Sequence, residues 1–477
     1  MHTTLDPAAS SAQAHLTPYV WLISVVAACG GLLFGYDWVV IGGAAKFYEA
    51  HFGLTDAWSI GWAQGCALLG CLVGALAAGT LSDRYGRKPV LLLAAMVFVV
   101  SSIGIALVDT FTAFWIWRVL GGVGIGLASN VSPLYIAEIA PARVRGMLVS
   151  LNQLTIVVGV FAAQIVNWWI AEPVPAGLTH DALTATWNAT TGWRWMFAAC
   201  TVPSVVFLIG ALLVPESPRW LLGAGRDEEA RAVLAKVGGQ AYGDQALADI
   251  RASLGAHTAS PGLAALFDRR LLGVLMLGCG LAAFQQWCGI NVIFNYAGEI
   301  FAQAGYDLND VMTNIVATGA VNLVFTFVAI ATVDRLGRRK LLLIGASALT
   351  LIYIALGACY AAKAAGAAVP PIAFLLLVLA AIGAYAMSLA PVVWVVISEI
   401  FPTRVRGAAM SVAVGVLWIA CFLLTVTFPV LNERLGAAGT FGTYAGICLL
   451  GLILVALRLP ETKGRSLEDI ERDLTKR

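Results

Sequence analysis

Sixty per cent of the 477 residues are apolar and only 12% are charged, against roughly 25% charged in an ordinary soluble domain. A water-soluble core cannot use that much apolar surface, so the chain reads as a membrane protein. The net charge of +2 gives no reason to expect nucleic acid as a partner, and the placement of the charges is more informative than their sum.

Runs of about 20 apolar residues recur along the chain, each long enough to cross a bilayer core of roughly 30 Å. Twelve spans are predicted, at 18–43, 58–81, 89–108, 112–136, 147–170, 194–214, 270–302, 311–333, 340–362, 371–398, 408–430 and 440–460. Residues 1–17 form an N-terminal tail without Lys or Arg, and the first apolar run is too long for a signal peptide, so it should remain as helix. Lys and Arg gather in the loops after spans 2, 4, 6, 8 and 10 and in the C-terminal tail, whereas the opposite side has only Lys46, Arg194, Lys363 and Arg434. This asymmetry predicts that both termini face the cytoplasm, and the chain reads as a multi-pass protein of a bacterial inner membrane. All nine cysteines fall in or beside apolar runs, so no disulfide framework is implied. The acceptor pattern "NAT" at 188–190 carries no weight, because chance matches are common.

The chain repeats itself at about half its length. "GTLSDRYGRKPVLLL" (79–93) returns as "ATVDRLGRRKLLL" (331–343), "AEIAPARVRG" (137–146) as "SEIFPTRVRG" (398–407), and "PESPRW" (215–220) more weakly as "PETKGR" (460–465). Three landmarks in one order on one side predict two six-helix bundles related by an axis along the membrane normal, a transporter plan with its substrate near the midplane. The expected divisions are 18–214 for the first bundle, 215–269 for a cytoplasmic helical linker, 270–460 for the second bundle and 461–477 for a cytoplasmic tail. Helical periodicity marks 226–237 and 244–254 in the linker and "SLEDIERDL" in the tail, where Ser466 is a plausible N-cap.

Carboxamides are abundant in the spans: Gln153, Gln164, Gln285, Gln286, Asn291, Asn295 and Asn322. Each donates and accepts at once, as a neutral, hydroxyl-rich ligand requires. Buried amides also glue helices together at about 0.6 kcal/mol each, and for any single one that alternative stays open. In span 7 the geometry favours a site. On an ideal helix Gln285 and Tyr296 lie within about 20° of one another, while Asn291 and Asn295 point some 80–120° away. A break near Cys288–Gly289 would let all of them face one cavity, a known device in transporters.

Asp37 stands inside or beside span 1, where insertion of a carboxylate costs about 2.5–3.5 kcal/mol. Arg118 in span 4 is its only evident partner, at a matching depth. The pair reads either as a static clamp between helices 1 and 4 or as a proton-dependent contact. No metal-ligand cluster, phosphate loop or nucleophile–base pairing is present, and the five His residues lie outside the predicted spans. An enzyme is not expected, nor any cofactor beyond a coupling proton.

The D-R-x-G-R-[RK] loops, "PESPRW", "PETKGR" and "FQQWCGIN" together resemble the sugar porter family of the major facilitator superfamily, from about residue 30 to 470. The chain is most similar to bacterial proton–sugar symporters of the xylose type, and also to facilitative glucose transporters. The resemblance implies an all-α membrane protein with the major facilitator fold, acting as a monomer on a small neutral sugar. It implies sugar binding by Gln153, Gln285, Gln286, Asn291, Asn322 and Trp394, with Phe34, Phe294, Asn295, Tyr296 and Trp418 at the cavity or gate. Val160 and Leu417 replace amides of the xylose-type symporters, so the sugar does not carry over from them; Val160 resembles the branched residue of glucose transporters at that place, which turns the expectation towards a hexose such as D-glucose, with D-xylose close behind.

Proton-coupled members resemble this chain in having Asp in span 1 and Arg in span 4, so the resemblance makes Asp37 the proton carrier and Arg118 its partner. It further implies a cytoplasmic ion-pair network of Asp83, Arg84, Glu138, Arg145, Glu216, Asp334, Arg335, Glu399 and Arg406. In that network Glu138, Arg145, Glu399 and Arg406 would pair across the bundles with the Arg84 and Arg335 loops and lock the outward-open state. The alternatives are an uncoupled uniporter and a sugar sensor that does not transport.

Overall fold

A computed structural model describes residues 17–141, 143–175, 180–255, 269–402 and 405–463. The predicted tail helix at Ser466 and nearly all of the N-terminal tail lie outside the described residues. The regular structure is helical. In chain order it comprises α1 (Pro18–Phe52), α2 (Ala57–Tyr85), α3 (Arg87–Ala106), α4 (Phe111–Ile139), α5 (Arg145–Ile170), α6 (His180–Thr184), α7 (Trp193–Ala198) and α8 (Thr201–Leu213). Short helices α9 (Pro218–Gly223), α10 (Asp227–Gly238) and α11 (Gln240–Gly255) follow. The second half holds α12 (Arg269–Trp287), α13 (Ile290–Asn295), α14 (Ala297–Ala304), α15 (Leu308–Leu336), α16 (Arg338–Ala364), α17 (Pro371–Ala386), α18 (Leu389–Ile400) and α19 (Arg406–Arg458).

Each predicted span finds helix, with four differences. Span 6 is two helices, α7 and α8, parted at Ala199–Cys200. Helix α1 runs nine residues past its predicted end to Phe52, taking in Lys46 and His51, and stops at Gly53 in the left-handed region. Span 10 is two helices, α17 and α18, parted at Met387–Ser388. The last two spans share α19, whose 53 residues are interrupted at Gly436 (φ 65°, ψ 173°). A straight helix of that length would reach about 80 Å, far beyond a bilayer, so the chain must turn there. Polar caps set several helix starts: Asp56 accepts from the Ser59 N–H at 2.8 Å, and Asp307 from that of Asp310 at 2.9 Å. The bonds from Ser59 hold the Asp56 carboxyl below its ordinary range.

Packing within the first bundle relies on backbone approach. A methyl added at Gly122 of α4 would lie 1.9 Å from the Ala67 carbonyl oxygen, and one at Gly70 of α2 would lie 2.0 Å from that of Val119. Small residues four apart permit such contact where hydrophobic burial between helices supplies no drive. Large apolar side chains instead cover the outside, with Leu213 80%, Trp169 78% and Leu107 74% exposed. A surface of this kind requires lipid.

The repeats close the basic end of each bundle in the same way. Gly86 (φ 101°) and Gly337 (φ 90°) turn the chain tightly into α3 and α16. Glu216 of "PESPRW" accepts from the N–H of Arg87 at 2.9 Å, and Glu461 of "PETKGR" from that of Arg338 at 2.9 Å. Each carboxylate therefore caps a helix start and complements its dipole. Among the described residues, the carboxylate pairs at this end lie within one bundle. Glu138 takes a two-pronged bond from Arg87, at 2.8 Å for both prongs, and Glu399 pairs with Arg338 at 3.5 Å. Both partners belong to the bundle of the carboxylate. Asp83 likewise pairs with Arg87 at 3.2 Å. Arg84 lies over the Tyr85 ring, Arg145 is exposed, Arg406 donates to the Phe401 carbonyl at 3.2 Å, and the Arg335 carbonyl accepts from Lys463 at 2.7 Å. The Asp334 side chain is outside the described residues. The Thr17 hydroxyl donates to the Val237 carbonyl at 3.3 Å, which sets the start of α1 against linker helix α10 at this same end.

Candidate functional site

Asp37 and Arg118 are 3% and 2% exposed. A single nitrogen, Arg118 Nη1, donates to both Asp37 carboxylate oxygens at 3.0 Å and to its carbonyl at 3.4 Å. The guanidinium also lies over the Phe197 ring, 5.5 Å from its centre, and its Nε has no hydrogen-bond partner. One nitrogen serving two oxygens is less than the parallel fork that makes arginine–carboxylate pairs strongest.

Span 7 breaks where expected. Gly289 (φ 86°) parts α12 from α13, and Tyr296 parts α13 from α14. The amides then form a chain. Asn291 Nδ2 donates to Gln286 Oε1 and, at 3.4 Å, to Cys421 Sγ; Gln286 Nε2 donates to Gln285 Oε1 at 3.1 Å. Gln285 Nε2 reaches the carbonyls of Leu389 and Ala390, at 3.3 and 3.2 Å, beside the break in span 10. Two interrupted helices thus meet through one amide chain. Beside it Phe34, Trp38 and Trp418 form an aromatic trio with ring centres 5.9–6.0 Å apart.

The other expected residues are dispersed around this centre. Gln153 on α5 is half-buried, Asn322 on α15 is buried, and Trp394 on α18 is 37% exposed. Among the described residues no hydrogen bond or ring contact joins their side chains to the amide chain. Val160 and Leu417 are buried apolar positions. The Tyr296 hydroxyl donates to the Thr425 carbonyl at 2.7 Å, and its ring packs on Phe428. The Phe294 carbonyl lies so close to α1 that a methyl at Gly42 would sit 2.6 Å away.

Sequence reasoning missed several participants. Trp38 completes the trio. Gln64 on α2 is 2% exposed with neither side-chain polar atom partnered. A pocket of about 10 Å³, room for one water, is lined by Trp38, Gln64, Cys71, Arg118, Ile125 and Asn295. The amide inventory omitted Gln64, although it is a lone carboxamide in an apolar run and the same signal would have found it.

Contacts between the bundles are concentrated away from the basic end. Lys46 Nζ meets Glu299 at 2.8 Å, Gln164 donates to the Thr318 hydroxyl at 3.1 Å, and Asn309 exchanges two hydrogen bonds with the backbone of Val174. Outside this seal lies a vestibule of about 400 Å³ whose lining includes Lys46, Glu49, Asn295, Tyr296, Glu299 and Glu433. The far end is closed, and the pairs at the basic end stay within their own bundles.

Two helical bundles closed at one end around buried amides and an ion pair define a transporter of the major facilitator fold. The Sugar (and other) transporter family model matches residues 23–474, and the chain belongs to that family. It is 38% identical over 477 residues to the Glucose transport protein of Synechocystis sp., covering 98% of this chain and 100% of that protein. It is 37% identical to the D-xylose-proton symporter of Escherichia coli, covering 95% of each. The partially occluded inward-open structure of the xylose transporter XylE from E. coli superposes with a TM-score of 0.82 at 35% identity, covering 94% of this chain and 100% of that one.

Proposed function

We propose that this protein imports a neutral monosaccharide, a hexose such as D-glucose or else D-xylose, together with a proton. The observation that carries the reading is the Asp37–Arg118 pair, buried in a transporter fold and held through one nitrogen. A carboxylate in that place is tolerated while its arginine is near, and protonation releases the arginine without a mutation. The names of the two relatives, one a glucose transport protein and one a D-xylose-proton symporter, support both halves of the proposal.

The sugar docks on Gln153, Gln285, Gln286, Asn291 and Asn322, with Trp394 and the Phe34–Trp418 side presenting apolar faces to its C–H surface. The bundles, taken as 18–214 and 270–460, rock about this site. The basic end is the cytoplasmic one by its arginines, so both chain ends lie in the cytoplasm and the conformation described is inward-facing. One chain supplies the whole site and works as a monomer in the cell membrane. Protons are the only coupling species, with no cofactor.

Labelled D-glucose uptake into proteoliposomes under an inward proton gradient tests the reading. Accumulation above the outside concentration, abolished by a protonophore, is expected; mere equilibration would make the protein a uniporter. Asn291→Ala should raise the half-saturating sugar concentration about tenfold, the worth of roughly 1.4 kcal/mol. An unchanged value would remove Asn291 from the site.

A further inference from the structure

Four unpartnered polar atoms belong to residues that share the small pocket beside the ion pair: Gln64 Oε1 and Nε2 on α2, Asn295 Oδ1 on α13 and Arg118 Nε on α4. Gln64 and Asn295 are 2% and 3% exposed. Buried carboxamide oxygens without donors are uncommon enough to need an explanation. Here the two amides line one pocket with a guanidinium whose Nε has no partner. We infer that Gln64 and Asn295 form a second acceptor site for Arg118, reached directly or through the one water the pocket can hold, and occupied when Asp37 is protonated.

The chemistry is a change of partner with no bond-making beyond the proton itself. Asp37 gains a proton from hydronium, leaving water, and becomes a neutral acid. Arg118 stays charged at every relevant pH and loses its counter-ion, so it needs carbonyl-type acceptors in the same low-dielectric space. Gln64 belongs to the bundle of Arg118, whereas Asn295 belongs to the other. Asn295 also lines the vestibule beyond the seal. Arg118 turned towards Asn295 therefore ties the protonated state to closure of the far end. Return of Arg118 to an ionised Asp37 releases that tie. Gln64 and Asn295 are positioning residues in this account: neither takes the proton, and both set how readily Asp37 holds it.

The other titratable groups around the pair are Tyr36 and Tyr48 on α1, Cys66 and Cys71 on α2, and Cys200 between α7 and α8. Phenols and thiols ordinarily titrate near 10 and 8.5. These are neutral groups in the pH range of transport, so Asp37 and Arg118 are the charged side chains of this neighbourhood.

The test is the pH dependence of D-glucose uptake by the full chain in proteoliposomes. Gln64→Leu removes an acceptor, keeps Arg118 on Asp37 and moves the midpoint of the profile to more acid pH by about one unit, a tenfold rise in the proton concentration required. Gln64→Glu draws Arg118 away from Asp37 and moves the midpoint in the alkaline direction. Asn295→Leu, on the opposite bundle, reproduces the acid shift and serves where the Gln64 variants fold poorly. A packing defect would lower the maximal rate and leave the midpoint in place, so unmoved midpoints in active variants overturn the inference. It rests on proton coupling. A flat profile for the unaltered protein would overturn that reading and this inference together, whereas a pH-dependent parent with unmoved variants overturns the inference alone.

Discussion

Asp37→Asn is expected to abolish gradient-driven accumulation of sugar while leaving sugar exchange across the membrane intact. A gradient of one pH unit supports about tenfold accumulation at one proton per sugar, and the variant should reach only equality. Asparagine keeps the shape but carries no charge at any pH, so it releases Arg118 as the protonated acid does. It mimics the protonated acid, the form that carries sugar. Arg118→Leu should be more damaging. Removing one member of a buried pair leaves an unpaired charge at a cost of about 3–5 kcal/mol, unless Asp37 takes up a proton permanently. Measured as accumulation ratio against counterflow, Asp37→Asn separates a proton carrier from a static clamp. Loss of both activities would assign the pair to architecture.

The second large effect is expected at the far-end seal. Lys46 Nζ lies 2.8 Å from Glu299 across the bundles and 3.5 Å from Glu49 on its own helix, and Gln303 steadies Glu299 at 2.7 Å. Its side chains are about one-third exposed, so the pair is singly worth no more than about 1 kcal/mol. Lys46→Met should therefore shift the balance towards the far-end-open state by only about fivefold. Lys46→Glu sets a third carboxylate against Glu49 and Glu299 and should shift it more than about tenfold, since repulsion replaces attraction. The readout is labelling, by a membrane-impermeant thiol reagent added outside, of a cysteine placed at Ala67 in the small buried pocket beneath the seal, in a background without other cysteines. Adding Glu299→Lys to Lys46→Glu should restore slow labelling. Equal labelling in all of these proteins would show that the ion pair does not hold the seal.

What could be read from the sequence follows the physics of burial. Twelve spans, the internal repeat, the break at Gly289 and the pairing of Asp37 with Arg118 are legible because a bilayer penalises charge and fixes the length of a helix. What stayed hidden is non-local. The partners of Glu138 and Glu399 depend on the tight turns at Gly86 and Gly337, which put Arg87 and Arg338, rather than Arg84 and Arg335, within reach. Glu216 and Glu461 were visible as repeated glutamates, but their use as helix caps needs the start of α3 or α16 beside them. Lys46–Glu299 joins residues far apart in the chain and lies on a face that an alternating transporter opens and closes. One order of residues is compatible with both faces, so conformation is not written in it. The break between α17 and α18 had a weak signal in the nearby Pro391, and the run of apolar residues masked it.

The central claim is that one proton enters with each sugar through Asp37. The most direct measurement is proton movement evoked by sugar: D-glucose, then D-xylose, is added to a lightly buffered suspension of sealed proteoliposomes with no imposed gradient, and external pH is recorded. Alkalinisation outside upon addition of a transported sugar, absent in Asp37→Asn, is the predicted result. Entry of labelled sugar with no change in external pH would contradict the account.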